Sequence, residues 1–171
     1  MALPRKLKNM NLFVDGESWV GLVEEFTPAK LSKKFEKYRG GGMAGAVDID
    51  MGYDDDALAT EFTLGGYERK LLAKHSAAKH NAVLLRFAGS FQRDDTGEID
   101  AVEIVIRGRS KELDRGNYKV GDNSTSKVSM TNTYYKEVVN GETIIEIDTV
   151  NMVEIIEGVD MMAEHRAAIG L

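Results

Sequence analysis

Cysteine is absent from this chain of 171 residues, and proline occurs only twice. Without thiols the fold has no disulfide, no thiolate nucleophile and no cysteine-based metal site, which agrees with folding in a reducing compartment. Long hydrophobic runs are also missing, because no stretch approaches the roughly 20 apolar residues that span a bilayer. We therefore expect neither covalent staples nor a membrane anchor.

An excess of basic charge is missing as well. The chain has 22 Lys and Arg against 28 Asp and Glu, a formal net charge of −6, and its basic residues are dispersed. Tight electrostatic binding to DNA or RNA phosphates is not expected on those terms. A single domain over residues 1–171 is long enough to bury about 70% of its unfolded surface, so a hydrophobic core is sufficient to hold it.

The clearest signal that is present is a β-hairpin from Tyr134 to Asp148. Asn140-Gly141 supplies the two positive-φ residues of a type I′ turn. A regular two-residue hairpin then predicts one apolar face with Tyr134, Val138, Ile145 and Ile147. The opposite face is predicted to be acidic, and it carries Glu137, Glu142, Glu146 and Asp148.

Further short alternating segments predict more strands and two short helices. The first helix is expected within Gly66–His80, and a second is expected to begin at Asp160 as N-cap, run through Ala168 and stop at Gly170. A small hairpin that turns at Asp15-Gly16 is predicted over 11–20, and further strands are predicted in 29–36, 47–53, 83–91, 101–109, 127–139, 142–148 and 152–156. This pattern indicates an all-β fold, a β-sandwich or partly closed barrel with a helix over one opening. Nothing protects its edges, which favours pairing between subunits.

One long hairpin is expected over about residues 27–56. Its first arm is rich in lysine and its second arm alternates apolar residues with Asp48 and Asp50. The glycine tract Gly40 to Gly42 between them predicts a flexible tip.

No compact catalytic or metal-binding constellation is found. GGGMAG at 40–45 has the GxGxxG spacing, but a strand follows it instead of the helix that a nucleotide fingerprint requires. DIDMGYDDD at 48–56 departs from the calcium-loop pattern at its fifth, sixth and twelfth positions. His75 and His80 are five residues apart and would point in different directions on a helix. We therefore predict no catalytic residues, no cofactor and no metal, and a protein that is not an enzyme.

Seven collinear strings carry a resemblance that extends over nearly the whole chain. They are NLFVDG at 11–16, KYRGGGM at 37–43, DIDMG at 48–52, RGRSKELDRGNYKVGD at 107–122, YYK at 134–136, EIDTVN at 146–151 and GVD at 158–160. Together they resemble the major tail tube proteins of contractile-tailed phages, the FII type, and the tube proteins of R-type pyocins.

The resemblance implies a structural virion protein with a fold related to the type VI secretion tube. Hexameric rings of such subunits stack into the inner tube of a contractile tail. The implied partners are other copies of the chain, the sheath protein, the baseplate or spike initiator and the tape measure protein, with DNA only as passing cargo. The implied location is the virion tail, assembled in the host cytoplasm. The resemblance also implies that the tip residues Arg39, Gly40, Gly41, Gly42 and Met43 form the family's inter-subunit loop; alternatively, they are the tip of an ordinary flexible hairpin without a contact.

In such a ring the acidic face is a candidate channel wall, past which DNA slides without adsorbing. Alternatively, that face is outer surface or subunit interface. A pyocin or type VI-like tube remains open as a second function, and the sequence does not separate phage from pyocin. A ligand-binding or hydrolytic β-barrel is a third, and it would need an enclosed pocket with convergent polar groups.

Overall fold

A computed structural model describes residues 2–171 of the chain, and in this range it contains twelve strands and two six-residue helices. The strands are β1 Lys6–Val14, β2 Glu17–Ser18, β3 Val23–Thr27, β4 Lys33–Tyr38, β5 Val47–Tyr53, β6 Thr60–Leu64, β7 Val83–Gln92, β8 Ile99–Asp114, β9 Ser126–Val139, β10 Glu142–Asp148, β11 Val153–Ile156 and β12 Val159–Asp160. The helices are α1 Arg69–Lys74 and α2 Ala163–Ala168. The all-β prediction with two short helices is confirmed.

Eight strands form one antiparallel sheet, the main sheet, in the order β12-β11-β10-β9-β8-β7-β1-β2. Its central connections are hairpins between sequence neighbours, as alternating strand patterns separated by turn residues require. β3 and β6 form a second sheet that joins the first through β9. β4 and β5 pair only with each other.

The two sheets meet at a corner in β9. This strand pairs with β6 along Ser126–Met130 and with β10 along Tyr134–Val139, while β8 follows it on the other side. A β-bulge in β9, with Thr133 as the extra residue opposite Arg107 and Gly108 of β8, marks the change of partner. Such bulges bend a strand, which lets β9 leave one sheet and enter the other.

The core lies between the two sheets. One row of paired residues crosses five strands of the main sheet: Val14, Leu85, Ile106, Tyr135 and Ile147. All five are at most 4% exposed. Phe26 of β3 stacks on Phe87 of β7 across the gap, with ring centroids 4.6 Å apart. We call this side of the main sheet the covered face and the other side the open face.

The Asn140-Gly141 hairpin has the predicted turn, but its predicted faces are wrong. Asn140 and Gly141 have φ of 50° and 83°, and Val139 pairs with Glu142 as expected. A bulge between Thr143 and Ile145 then shifts the register by one residue. Because strand side chains alternate with a period of two, one extra residue moves every later side chain to the other face.

The four acidic residues therefore do not share one face. Glu137 and Glu142 lie on the covered side, where Glu137 accepts a hydrogen bond from the Tyr135 hydroxyl at 2.8 Å. Glu146 and Asp148 lie on the open side, opposite Lys136 and Tyr134. Tyr134, assigned to the apolar face from sequence, is on the open side as well.

Both helix predictions need correction at their bounds. α1 is confined to six residues of the predicted 66–80 stretch, and Leu71 is its one buried residue. Asp160 is not the N-cap of α2, because it is paired with Ile155 in β12 and the cap position is Met162. Its carboxylate instead accepts the Met162 N–H and binds the Arg166 guanidinium. Gly170, at φ of 84°, follows the helix end as predicted.

Candidate assembly surfaces

Both edges of the main sheet are mostly unpaired in the single chain. At one edge, β2 pairs only with Phe13 and Val14 of β1. At the other, β12 pairs with the last two residues of β11 and the Glu154 carbonyl accepts the Met161 N–H, so among residues 2–171 the unpaired backbone at this edge is mainly the outer side of β12. The Leu12 carbonyl accepts the Trp19 N–H on the outer side, so the Met10 N–H two residues earlier also points to the free edge. An exposed row of backbone donors and acceptors can bind another strand.

The open face of the main sheet is polar and balanced in charge. Over β7, residues 99–107 of β8, residues 134–139 of β9 and β10, its charged residues are three basic and three acidic: Arg86, Arg107, Lys136, Glu103, Glu146 and Asp148. Basic and acidic residues alternate on this face. Arg86 lies 3.5 Å from Glu103, and Lys136 is directly opposite Glu146. Opposite charges on neighbouring strands attract, so this face presents paired charge to anything beside it.

Tyr134 connects two of these charged groups. Its hydroxyl donates to Glu146 Oε1 at 2.8 Å, and the Arg107 guanidinium lies 5.6 Å from its ring centroid. Burial and the bond to Glu146 raise the pKa of Tyr134 to about 12, so the phenol stays neutral and keeps donating at physiological pH.

The β4–β5 hairpin projects from the body with one apolar side. Tyr38, Val47 and Ile49 share that side by register, and they are 43–57% exposed. The other side carries the predicted pairing of lysine and aspartate arms. Lys33 lies 3.1 Å from Asp50. Exposed apolar side chains on a projecting hairpin are typical of a docking surface.

A polar contact holds the base of this hairpin on β11. The Tyr53 hydroxyl donates to Glu154 Oε1 at 2.7 Å, and Lys33 lies 3.7 Å from the same oxygen. Burial, followed by this bond, raises the pKa of Tyr53 above its usual range. The pKa of Asp50 is lowered, first by the Gly52 N–H and then by Lys33. The hairpin therefore leaves the body in a defined direction.

The glycine tip of the hairpin closes on itself. The Gly40 N–H donates to Met43 Sδ at 3.0 Å, and the Met43 N–H donates to the Gly40 carbonyl at 3.3 Å. Arg39 reaches the Ala44 carbonyl at 3.4 Å, and Gly42 has a φ of 87° that favours glycine. Gly41 lies between these residues, with no heavy atom near enough to contact an added Cβ.

Residues 4–170 match the family model for phage tail tube protein FII. The chain belongs to this family. It is 49% identical to the tail tube protein of Escherichia phage P2 over the full length of both chains. It is 35% identical to the major tail tube protein of Serratia phage KSP20, with 90% of this chain and 88% of that protein covered.

Solved structures of contractile injection systems share the fold of this FII family member. A chain of the PVC sheath-tube complex in its extended state superposes with a TM-score of 0.57 at 10% identity, covering 79% of this chain and 91% of that one. A chain of the anti-feeding prophage baseplate gives 0.53 at 6% identity, covering 81% and 97%. The predicted tail-tube fold is confirmed.

The predicted absence of a metal site can be compared with side-chain positions. Among residues 2–171, no three His, Cys, Asp or Glu side chains are grouped so that they could hold a metal ion. His75 Nδ1 lies 3.0 Å from Ser110 Oγ, and His80 Nδ1 lies 3.1 Å from Thr133 Oγ1. Over the same residues, neither helix has the length or apolar character to cross a membrane.

Sequence reasoning missed the basic residues of the open face. Arg86, Arg107 and Lys136 come from three strands, and only the sheet register brings them beside Glu103 and Glu146. A signal existed in the alternation of the β7 sequence, where Arg86 stands between the apolar Leu85 and Phe87. A charged residue between two core positions faces away from the core.

Proposed function

We propose that six copies of this tail tube family member close into a ring by pairing their main sheets edge to edge, and that such rings stack into the inner tube of a phage tail. The observation that supports this most directly is the pair of free edges, β1 on one side and β11 with β12 on the other. Head-to-tail pairing of one edge with the other leaves no edge once a ring closes. The number six follows the family resemblance.

In this ring the open face lines the channel. The covered face cannot do so, because the second sheet and the core already occupy it. Glu146 and Asp148 then point into the channel, together with Arg86, Glu103 and Lys136. Glu137 and Glu142 do not belong to that wall, because the bulge in β10 places them on the other side.

DNA passes along such a wall without binding tightly. Arg86, Lys136 and Arg107 each have a neighbouring carboxylate or aromatic ring, so few basic groups on this part of the open face are available to phosphates. Fields from the remaining charges decay within about 8 Å at physiological salt. The role is structural and involves no catalysis. A tube that carries protein would use the same surfaces, but the named relatives in phages P2 and KSP20 favour DNA.

The β4–β5 hairpin contacts an adjacent copy in the same or the next ring. Its apolar side, formed by Tyr38, Val47 and Ile49, is the surface that becomes buried, and the tip from Arg39 to Met43 extends the contact. Fully burying a side chain of this size contributes about 1.5–3 kcal/mol. The sheath, the baseplate and the tape measure protein are the further partners, in a virion tail assembled in the host cytoplasm.

The edge contact is tested by Met10→Pro with Met10→Ala as its matched control. Both variants lose the side chain, but only proline removes the N–H that points to the free edge, where proline is tolerated. We expect both monomers to fold by circular dichroism. Native mass spectrometry and electron microscopy should show rings and tubes for the alanine variant and only monomers for the proline variant. Equal assembly of the two variants would exclude β1 as a pairing edge.

The channel assignment is tested by labelling, because the chain has no cysteine of its own. Ala101→Cys places a thiol on the open face of β8, and Thr27→Cys places one on β3 of the second sheet. Both should react with a bulky polymer maleimide in the monomer. In assembled tubes only Thr27→Cys should react. Free labelling of Ala101→Cys in tubes would refute the assignment.

A further inference from the structure

The two ends of the main sheet differ in the sign that predominates among their unpaired charges. At one end lie the β7–β8, β9–β10 and β11–β12 turns, which we call the turn end. At the other end α1 and the segment that leads into β7 cover the opening of the sandwich, and we call this the helix end. Barrel strands tilt about 35–45° from the axis, so in a closed ring these ends form its two rims.

The turn end has unpaired acidic groups. Its three turns and the residue that follows the β9–β10 turn contain five acidic residues and one basic residue: Asp94, Asp95, Glu98, Glu142, Glu157 and Arg93. The start of β1 and the residue before it add three basic residues at this end, Arg5, Lys6 and Lys8, because Lys6 is opposite Gln92 of β7. Within residues 2–171, Lys8, Arg93 and Arg5 form ion pairs with the three acidic residues of the β7–β8 turn. Glu142 and Glu157 are exposed, have no ion pair in that range, and line one cleft of about 560 Å³.

The helix end has unpaired basic groups. Residues 66–82 contain four basic residues and one acidic residue, Glu68. Lys70 and Lys74 are engaged by Glu17 and Asp15 of the β1–β2 hairpin. Arg69 and Lys79 are exposed and form no ion pair with any described residue.

Exposed apolar side chains accompany the charges at both ends. Ile99 and Leu3 lie at the turn end and are 59% and 47% exposed. Tyr67 and Leu72 lie at the helix end and are 62% and 38% exposed. Both ends therefore expose apolar side chains, and their unpaired charge is mostly of opposite sign, as expected of two surfaces that bind each other. Glu142 and Glu157 outnumber Lys6 at the turn end, and Arg69 and Lys79 outnumber Glu68 at the helix end.

We propose that rings stack with one fixed polarity, because the unpaired carboxylates Glu142 and Glu157 of one ring bind Arg69 and Lys79 of the next. The partner is a second copy of this chain, and the inference rests on the ring proposed above. Head-to-head stacking would place like charges together, and like-charge contact disfavours a wrong arrangement. The electrostatics of the rims thus select the direction of the tube.

The test uses charge reversal at one end, at the other, and at both. The first variant is Glu142→Lys/Glu157→Lys, the second is Arg69→Glu/Lys79→Glu, and the third combines all four changes. The control is Glu24→Lys/Glu25→Lys on β3, which changes the net charge as much as the first variant but lies on the second sheet. Native mass spectrometry measures rings, and sedimentation with electron microscopy measures the concentration at which rings form tubes.

Each single-end variant should still form rings, but its rings should need at least about a tenfold higher protein concentration to form tubes. A single exposed ion pair is weak, but the same pair is repeated around the ring, so its loss is multiplied. The combined variant has both signs exchanged, so its tubes should form within about threefold of the wild-type concentration. The control should assemble like the wild type. If the combined variant fails to recover, or the single-end variants stack normally, the rim proposal is wrong. Failure of the wild type to form rings would instead refute the proposed function.

Discussion

We expect that adding a single methyl group at Gly108, as in Gly108→Ala, strongly destabilises the fold. Gly108 lies in β8 at the bulge where β9 exchanges β6 for β10. A Cβ at this position would lie 2.2 Å from Asn132 Oδ1 and 2.2 Å from the Thr131 carbonyl oxygen. Both contacts are far inside van der Waals distance, and one of them is to backbone. Gly108→Ala therefore forces the two strands apart at the corner between the sheets.

The loss in the free energy of unfolding has two parts, the overpacking at Gly108 and the displacement of Asn132. Overpacking a well-packed site costs about 1–3 kcal/mol. Asn132 also donates to the Leu58 carbonyl at 2.7 Å and to Thr60 Oγ1 at 2.9 Å, and losing one such buried bond costs about 1 kcal/mol or more. The sum is about 3 kcal/mol. In a domain of this length that lowers Tm by roughly 6–12 °C.

Urea unfolding of the unassembled protein, followed by circular dichroism, measures this loss. Gly45→Ala is the matched control, because its added Cβ would meet nothing within 4 Å and its φ is not in the left-handed region. We expect the control to lie within about 0.5 kcal/mol of the wild type. If Gly108→Ala lies equally close, the corner does not depend on the close approach of the two strands.

Three further predictions concern hydrogen bonds outside the corner. Asn140→Asp replaces the amide that donates to Asp100 Oδ1 at 2.9 Å with a second carboxylate, which repels Asp100. Tm should fall by several degrees at pH 7 and recover in part near pH 3, where carboxylates are protonated. An unchanged Tm at pH 7 would contradict this prediction. The Asn140 bond, and then Arg5, lower the pKa of Asp100 in the folded state, so its contribution to stability is complete above the unfolded pKa and is lost as pH falls through the folded value. Asp100→Asn should therefore flatten the acid limb of a urea titration from pH 6 to pH 2, and an unaltered limb would argue against this linkage. Tyr53→Phe removes the bond to Glu154, worth about 1 kcal/mol, and should speed hydrogen exchange of the β4–β5 hairpin about fivefold with β8 unchanged, whereas an equal change in both would indicate global destabilisation.

Local signals in the sequence were sufficient for most strands of the main sheet and their turns, but they did not predict β3 and β6 of the second sheet or the short β12. Asn140-Gly141 and Asp15-Gly16 each form a hairpin turn with positive φ at both residues, because few other residues adopt that conformation without strain. The lysine and aspartate arms around the glycine tract pair as expected. Long-range pairing could not be predicted from local signals, because the two halves of β9 pair with different strands, β6 and β10, that lie far apart in sequence.

The candidate channel wall shows where local reasoning fails. A single acidic face exists only if the hairpin is regular; it would then carry Glu137, Glu142, Glu146 and Asp148. The bulge after Thr143 places two of these residues on each face of the sheet, and no residue in that segment is typical of a bulge. The bulge puts Ile147 opposite the buried Tyr135, so packing of the core decides the register over the simple two-residue count.

The sequence by itself determined the all-β class, the absence of disulfides, the hairpin turns and the family, because each depends on composition, on residues that tolerate special backbone conformations, or on motifs in order along the chain. Tertiary structure alone decided which side chains share the open face, which edges stay free and how charge is divided between the two ends. Those properties depend on register, and register is fixed by burying the row from Val14 to Ile147 across five strands that are distant in sequence.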